Sequence, residues 1–203
     1  ATMPAYLARP TAPGTYPAVL LFQEIFGVNH HIRSVADRVA AEGYVALAPE
    51  IFHRTAPGIE LKYDAAGLER GIGLMNRVKA SDAIADVAGA LDYLKTRREV
   101  GGRGAGAMGF CFGGHLTYLA ACELPIAAGV SFYGGGIAVG APGGEEPPTI
   151  NRTPKITGSM LCLFGEKDGY IPLAQAAAIK EALAAANVDH EVVVYPGVGH
   201  GFF

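Results

Sequence analysis

The sequence predicts an α/β fold, with a mostly parallel central sheet covered by helices on both faces. Two observations lead to this prediction. Short apolar runs alternate with helical segments along the whole chain, and this order is typical of a parallel sheet packed between helices. Crossovers between parallel strands are right-handed by default. Because the strands are parallel, their carboxyl ends meet at one edge of the sheet, and binding sites form there.

Six apolar runs are the predicted strands. They are bounded by glycine, proline or polar residues, and most are too short for a buried helix. The runs cover residues 18–23, 44–48, 105–108, 127–133, 159–164 and 191–195.

Four segments are the predicted helices. Residues 31–42 carry apolar side chains at helical spacing and stop at Gly43, and residues 81–97 do the same behind a predicted N-cap at Ser81. Residues 115–122 and 173–186 are the other two. We expect a turn at residues 101–104 and irregular chain over residues 49–79 and 134–153.

Composition excludes several classes of protein. The 203 residues are 50% hydrophobic and 17% charged, which indicates a globular chain. A net charge of −3, without a basic stripe, argues against nucleic-acid binding. No apolar run approaches the ~20 residues of a membrane span, and no metal-ligand spacing is present. Three cysteines without a framework spacing favour a reducing compartment, by default the cytoplasm.

Cys111 is the first candidate nucleophile. It lies in Gly-Phe-Cys-Phe-Gly-Gly, residues 109–114, between a predicted strand and a predicted helix. The G-x-S-x-G nucleophile elbow of α/β-hydrolases has this layout with serine at its centre. Flanking glycines suit a strained turn, and the following helix directs its positive end at the sulfur, which predicts a lowered thiol pKa. The alternative is a cysteine that only packs, as we expect for Cys122 and Cys162.

Reactive side chains follow four of the predicted strands. Glu24 follows the first strand, Cys111 the elbow strand, Asp168 the fifth and His200 the sixth. The order nucleophile, acid, histidine is the one that α/β-hydrolases use. Each signal alone is weak, because an Asp in a glycine-rich turn often only forms the turn. Their coincidence at one edge of the sheet predicts a catalytic site.

The remaining histidines and glycines give weaker evidence of a functional role. His30 and His31 are adjacent and therefore point in different directions, so we interpret them as a helix start. His53 and His190 have no organised partners, and His115 is expected to pack within the elbow helix. We expect Lys167 at the surface, and the glycines at 134–136 precede no helix, so they predict no phosphate site.

Several motifs together resemble the dienelactone hydrolase (carboxymethylenebutenolidase) family of the α/β-hydrolase superfamily. The run Gln-Glu-Ile-Phe-Gly-Val-Asn at 23–29 resembles its signature loop, and the cysteine elbow at 109–114 matches. Residues 166–172 resemble its acid turn, 199–202 its histidine loop, and 48–58 the loop with a substrate-binding arginine. The resemblance extends from residue 18 to 203.

The resemblance implies a cysteine hydrolase with a Cys-His-Asp triad. Cys111 would be the nucleophile, His200 the base and Asp168 the residue that orients it. Glu24 would pair with the thiol or an arginine and help to deprotonate the cysteine when substrate binds. The oxyanion hole would be formed by the backbone N–H groups of Ile25 and Phe112. Arg54 would hold a substrate carboxylate.

These roles predict a reaction and leave alternatives open. The thiolate would open an enol lactone or activated ester through a thioester, with no cofactor. The substrate would be a small lactone or ester, which the family resemblance implies is anionic, with no nucleic acid or membrane as partner. A broad carboxylesterase or thioesterase on the same scaffold is the first alternative. A catalytically silent binding protein is the second, and the complete triad disfavours it.

The two ends of the chain depart from the family pattern. The sequence stops three residues after His200, where α/β-hydrolases continue into a last helix, and only residues 3–8 remain of the N-terminal hairpin. We therefore expect one domain over 1–203, incomplete at both ends and without the usual C-terminal helix. A second anion-binding arginine would belong to the missing tail.

Overall fold

A seven-stranded sheet organises the molecule. The structure is a computed structural model, and it describes residues 2–203. The strands are β1 (Ala5–Ala8), β2 (Tyr16–Phe22), β3 (Val45–Pro49), β4 (Val100–Phe110), β5 (Ile126–Phe132), β6 (Ser159–Gly165) and β7 (His190–Tyr195). Their order in the sheet is β1-β3-β2-β4-β5-β6-β7, and only β1 runs antiparallel to its neighbour.

Five α-helices connect the strands and pack against the sheet. They are α1 (His30–Ala41), α2 (Ala65–Met75), α3 (Ala80–Lys95), α4 (Phe112–Glu123) and α5 (Leu173–Ala185). Short 3₁₀ turns cover Ile51–Arg54, Pro142–Gly144 and Thr149–Lys155. Helix α4 packs on β2, β4 and β5, and α3 packs on α4. The predicted α/β fold is confirmed. Each predicted strand and helix overlaps an observed one and has similar bounds, except that β4 begins at Val100, well before the predicted start at residue 105.

The elbow helix α4 is central to the core. Eleven of its residues, Phe112 to Cys122, are buried, because the helix is covered by the sheet, by α3 and by the Thr149–Lys155 turn. Apolar side chains from β2, β4 and β6 fill the core, with Phe22, Phe110 and Phe164 among the largest. Burial on this scale fixes the start of α4, and with it the position of Cys111.

Helix α2 was missed in the segment that the sequence predicted to be irregular. Its three glycines lower helix propensity, which hid the pattern. Two signals were nevertheless present. The Asp64 side chain caps the helix by accepting from Gly67 N–H at 2.8 Å, and Leu68, Ile72 and Met75 have the spacing of one helix face.

The predicted turn at residues 101–104 is wrong, because these residues belong to β4. Val100 pairs with Tyr16, whereas Ala105 pairs with Ala18, so the glycine-rich segment forms a bulge in the strand. Gly102 and Gly104 have φ of 109° and 117°, a conformation that glycine adopts without steric cost. The predicted turn residues thus interrupt the ladder without ending the strand.

Two smaller predictions also need correction. The N-cap of α3 is Lys79, not Ser81; the Ser81 hydroxyl instead donates to Glu145 Oε1 at 2.7 Å. The N-terminal residues do not form a hairpin with the next strand, because β1 pairs with β3, with Ala5 opposite Pro49. Among the described residues, no helix has both the length and the apolar character that a bilayer span requires.

Candidate active site

Cys111 lies at the junction of β4 and α4 in a strained conformation. Its φ is 54° and its ψ −115°, which is unusual for a residue with a side chain. The backbone holds it there: Cys111 N–H donates to Phe132 O at 3.0 Å, and Cys111 O accepts from His115 N–H at 3.2 Å. The predicted strand, sharp turn and helix are all present, and the sulfur lies at the turn.

The glycines around Cys111 permit this turn because a β-carbon would collide with neighbouring backbone. At Gly109 it would lie 2.2 Å from Gly113 O. At Gly113 it would lie 2.3 Å from Phe22 O, and at Gly114 2.5 Å from Phe132 O. The crossing of β2, β4, β5 and α4 is therefore closer than any side chain allows.

His200 is oriented by Asp168. His200 Nδ1 lies 2.7 Å from Asp168 Oδ2, and the Asp168 side chain is fully buried. The other oxygen of Asp168 accepts from the N–H groups of Tyr170 and Ile171 at 2.8 and 3.2 Å. A carboxylate held by two backbone donors keeps one imidazole tautomer and orientation, which leaves Nε2 of His200 available for chemistry.

The acid turn and the histidine loop are joined by backbone contacts. Lys167 N–H donates to Val198 O at 2.8 Å, and Gly197 N–H donates to Glu166 Oε2 at 2.7 Å. A β-carbon at Gly165 would lie 2.4 Å from Val198 O, so glycine is required there. These contacts place the two segments as one unit after β6 and β7.

Glu24 follows β2 and is buried, with its carboxylate in a defined hydrogen bond. Tyr63 O–H donates to Glu24 Oε2 at 2.7 Å, and Asn29 Nδ2 donates to Tyr63 Oη at 3.1 Å. Gln23, which is fully buried, donates to Glu24 O at 3.2 Å and accepts from Ile51 N–H. Hydrogen bonds therefore hold the signature loop in place on both sides of Glu24.

The two predicted oxyanion donors lie beside the sulfur's cavity. Ile25 and Phe112 both line it. The backbone N–H of Phe112 acts to lower the pKa of the Cys111 thiol. Among residues 2–203, the backbone N–H of Ile25 is not seen to donate to a protein acceptor. Two N–H groups at these positions are the arrangement that an oxyanion hole uses.

The electrostatics of the resting thiol differ from the sequence prediction. Burial, and after it the negative charge of Glu24, raises the pKa of the Cys111 thiol to about 12. The start of α4 acts in the opposite direction and is outweighed. The predicted lowered pKa is therefore wrong for the unliganded site, where the sulfur carries its proton at neutral pH.

One cavity of about 760 Å³ contains the candidate site. Glu24, Cys111 and His200 all contribute to its wall. The rest of the lining is mostly apolar or glycine, and it comes from α2, from the signature loop and from the segment between β5 and the Thr149 turn. The structure thus brings together the candidate nucleophile, base and acidic residue around a space large enough for a small molecule.

Arg54 is placed differently from the other predicted site residues. Its guanidinium pairs with Asp86, at 2.5 Å to Oδ1 and 3.2 Å to Oδ2. His53 Nε2 lies 3.0 Å from the same carboxylate, which is buried. Arg54 is not among the described residues that line the cavity. Its predicted contact with a substrate carboxylate stays a prediction.

The remaining histidines and cysteines behave as expected, except that His53, predicted to have no organised partner, is paired with the buried Asp86. His30 begins α1 behind Asn29, whose side chain accepts from Ile32 N–H. His115 is buried, and its Nε2 lies 2.7 Å from Thr149 Oγ1; burial lowers its pKa to about 4. Cys122 and Cys162 are buried, and burial raises the pKa of each thiol to about 12.

Sequence reasoning missed the side chains that surround the candidate residues. Tyr63 holds Glu24, while Tyr133 and Tyr170 place their rings 5.0 and 5.2 Å from that of His200. Tyr63 lies in a segment without a local pattern, so no signal pointed to it. Tyr170 lies inside the predicted acid turn, where only Asp168 was identified as a candidate site residue. Residues 2–203 contain no group of three or more His, Cys, Asp or Glu side chains placed to hold a metal ion.

The chain is similar to known proteins over almost its whole length. The model of the dienelactone hydrolase family matches residues 3–203. A Synechocystis protein named "Putative carboxymethylenebutenolidase" is 46% identical over 198 residues, covering 98% of this chain and 80% of that protein. A similarly named Escherichia coli protein is 36% identical over 208 residues, covering 98% and 73%.

Solved structures are similar as well. A crystal structure described as "Putative Dienelactone Hydrolase" from Klebsiella pneumoniae has a TM-score of 0.85 at 34% identity, covering 98% of this chain and 82% of that one. A dienelactone hydrolase-like promiscuous phosphotriesterase from metagenomic libraries has a TM-score of 0.77 at 26% identity, covering 100% and 85%. These comparisons extend over almost the whole described chain.

The crowded elbow predicts a strong effect of one added methyl group. Gly113→Ala should lower the free energy of unfolding by about 2 kcal/mol or more, because its β-carbon meets Phe22 O and Gln23 O. Gly89→Ala in α3 is the matched control, since a β-carbon there meets nothing within 4 Å. Denaturant unfolding checks both; equal stability of the two variants would contradict the close crossing at the elbow.

The raised thiol pKa predicts how Cys111 labels. Only the thiolate reacts with iodoacetamide, so labelling of Cys111 should rise with pH through the neutral range. Glu24→Gln removes a negative charge, lowers the thiol pKa and should accelerate labelling about 3- to 10-fold. A short pulse at pH 8 followed by peptide mapping measures this.

The control is Glu181→Gln on the exposed side of α5, which should leave labelling of Cys111 unchanged. Cys122 and Cys162 should label more slowly than Cys111 in every variant, because both are buried. Slower labelling of Cys111 in Glu24→Gln would mean that Glu24 promotes the thiolate even without substrate.

Proposed function

The chain belongs to the dienelactone hydrolase family and is a hydrolase, and we propose that it opens enol lactones or activated esters with Cys111 as nucleophile. One observation carries the proposal. Cys111 lies at positive φ at the start of α4, in the same cavity as His200, which is bonded to a buried Asp168. A nucleophile, a base and a residue that orients the base are the three parts of covalent acyl transfer.

The first step is activation of a thiol that is protonated at rest. Glu24 is the buried carboxylate of the cavity, and its charge raises the pKa of Cys111. A base that disfavours the thiolate before substrate arrives can still accept the thiol proton when a carbonyl is bound and the sulfur attacks. This arrangement protects the nucleophile from oxidation and other electrophiles, because thiolates are the reactive form.

The second step forms the acyl-enzyme. The sulfur electron pair forms a C–S bond to the lactone or ester carbonyl, and the oxyanion is held by the N–H groups of Ile25 and Phe112. Each such donor is typically worth about 3 kcal/mol in the transition state. The C–O bond then breaks, the enolate or activated alkoxide leaves and takes up a proton, and a thioester remains on Cys111.

The third step is hydrolysis of the thioester. His200 Nε2 takes a proton from water, the hydroxide adds to the thioester carbonyl, and Cys111 leaves as thiolate. Asp168 stabilises the imidazolium that forms, as its bond to Nδ1 supports. The product is a carboxylic acid. The proton that Glu24 took from the thiol has left with the enolate or alkoxide, and the thiolate takes its proton back from the His200 imidazolium. No redox change occurs and no cofactor enters these steps.

Two finer predictions belong to this proposal with different support. The three cysteines are free thiols, which supports a reducing compartment such as the cytoplasm. The family resemblance also implies an anionic substrate held by Arg54. The pairing of Arg54 with Asp86 gives that role no support, so the proposal is limited to lactones and esters.

A carboxylesterase of broad specificity is the second candidate. The cavity is mostly apolar, and such a lining suits neutral esters. One similar solved structure is named a promiscuous phosphotriesterase, and that name supports a broad specificity on this scaffold. A silent binding protein, the third candidate, would leave the side chains of Asp168 and His200 without a chemical role.

The proposal predicts which substitutions abolish hydrolysis of p-nitrophenyl acetate. Cys111→Ala should lower kcat by about 10³-fold or more, and His200→Gln by a similar factor, because residues of a triad act as a unit. Asp168→Asn should have a smaller but clear effect. Initial rates and circular dichroism on each purified variant give the comparison.

Cys122→Ala is the matched control, since it removes a thiol from the same helix without touching the cavity lining. It should keep kcat within about 3-fold of the wild-type value. Undiminished turnover in a folded Cys111→Ala variant would rule out the cysteine mechanism, and absence of turnover in the wild type would favour the binding protein.

A further inference from the structure

We propose that Asn29 and Tyr63 are positioning residues, which form a chain of two hydrogen bonds that holds the Glu24 carboxylate in the orientation from which it takes the thiol proton of Cys111. This inference rests on the proposed function, in which Glu24 is the proton acceptor. It follows from the direction of the two hydrogen bonds, from the way Tyr63 is fixed, and from the exposure of its ring.

The direction of the first hydrogen bond is set by the N-cap of α1. Asn29 is buried, and its Oδ1 accepts from Ile32 N–H at 3.2 Å. A backbone N–H can only donate, so the oxygen end of the amide must face Ile32 and the nitrogen end must face the other way. That nitrogen lies 3.1 Å from Tyr63 Oη. Because an amide nitrogen donates, the Tyr63 oxygen is the acceptor.

The second hydrogen bond then runs from Tyr63 to Glu24. Tyr63 Oη lies 2.7 Å from Glu24 Oε2. The phenol has one proton and already accepts from Asn29, whereas an ionised carboxylate can only accept. The Tyr63 proton is therefore directed at Oε2, in a charge-assisted bond. This bond engages one oxygen of a carboxylate that lines the cavity and leaves Oε1 for the thiol proton.

The segment before Tyr63 is packed tightly on the signature loop. A β-carbon at Gly27 would lie 2.1 Å from Ile59 O, and Leu61 N–H donates to Phe26 O at 3.0 Å. The ring of Tyr63 lies 4.3 Å from that of Phe26. The loop that contains Glu24 and the segment that contains Tyr63 are thus joined by backbone contacts as well as by side chains.

Tyr63 is also fixed by its chain neighbours on both sides. On one side, Glu60 forms two hydrogen bonds with the Arg33 guanidinium of α1, at 2.6 and 3.0 Å. On the other side, Asp64 caps α2 by accepting from Gly67 N–H at 2.8 Å. These contacts leave the Tyr63 side chain little freedom to move away from Glu24.

The exposure of Tyr63 indicates that its hydroxyl has a role beyond packing. The residue is 59% exposed, so the ring gains little from burial. A tyrosine at a surface normally keeps its hydroxyl in water. Here the hydroxyl points inward and is bonded to two buried side chains, Asn29 and Glu24. Removal of this oxygen should therefore leave the fold intact and change only the hold on Glu24.

Tyr63→Phe tests the second hydrogen bond, because it removes the hydroxyl and keeps the ring on Phe26. With enzyme in excess over p-nitrophenyl acetate, stopped-flow release of p-nitrophenolate measures acylation of Cys111 without the later hydrolysis. The maximal acylation rate should fall about 10-fold, while the half-saturating enzyme concentration stays within about 2-fold. An unchanged or faster acylation rate would overturn the proposal.

A double-mutant cycle separates positioning from an effect on the fold or on substrate binding. Glu24→Gln alone should slow acylation by about 100-fold or more, because the proton acceptor is lost. In that background Tyr63→Phe should slow acylation by less than about 2-fold, since the carboxylate that Tyr63 holds is absent. The same loss in both backgrounds would mean that Tyr63 does not act through Glu24.

Asn29→Ser tests the first hydrogen bond. Serine is as good an N-cap as asparagine but is too short to reach Tyr63, so α1 keeps its cap and Tyr63 loses the amide donor. Acylation should slow about 3-fold, and the same substitution should have no effect in the Tyr63→Phe variant.

Asp64→Ser is the matched control, because it exchanges one N-cap for another directly beside Tyr63 and leaves the chain of hydrogen bonds untouched. Its acylation rate should stay at the wild-type value. Equal slowing in Asp64→Ser and Asn29→Ser would attribute the effect to the helix caps and contradict the role of Asn29.

The proposed function and this inference fail in different ways. If Glu24→Gln acylates as fast as the wild type, Glu24 is not the proton acceptor and the proposed activation step is wrong. If Glu24→Gln slows acylation but Tyr63→Phe does not, the activation step stands and only the positioning role of Tyr63 and Asn29 is wrong.

Discussion

The crossing of β4 and α4 at Cys111 is the constraint on which the site depends. The sulfur can face the cavity only because Cys111 takes a positive φ, and that turn fits only because Gly109, Gly113 and Gly114 lack β-carbons. The burial of nearly all of α4 supplies the packing that holds the strained residue in place. The packing of the core thus holds the strained residue in place, and the fold itself positions the candidate nucleophile.

The Cys111 thiol carries its proton in the unliganded site, and this limits its reactivity before substrate binds. Burial and the Glu24 charge both disfavour the thiolate, while the α4 terminus and the Phe112 N–H favour it. Under the proposed mechanism the sulfur keeps its proton until substrate binds, and Tyr63 holds by a hydrogen bond the Glu24 carboxylate that then accepts that proton.

Much of the fold was predictable, since strands and helices with clear apolar periodicity lie close to their predicted bounds. The elbow and the Asp168–His200 pair were predictable too, because parallel strands bring their carboxyl ends to one edge. The predictions that failed concern features that depend on tertiary contacts. The glycines of α2 lowered its predicted helix propensity. They let the helix approach the backbone of Ile25 and Lys62 closely, and this contact is visible only in the folded structure. The thiol pKa was predicted in the wrong direction, because burial cannot be read from the motif.

The central claim is that Cys111 forms a covalent thioester during turnover. The most direct measurement is the mass of a His200→Gln variant after brief exposure to p-nitrophenyl butyrate, since removal of the base should slow hydrolysis of the acyl-enzyme. The account predicts a butyryl adduct on the peptide that contains Cys111, removable by hydroxylamine at neutral pH, and no adduct on Cys122 or Cys162. The account would be contradicted if the wild type hydrolyses the ester steadily while the variant carries an adduct on another residue or carries no adduct.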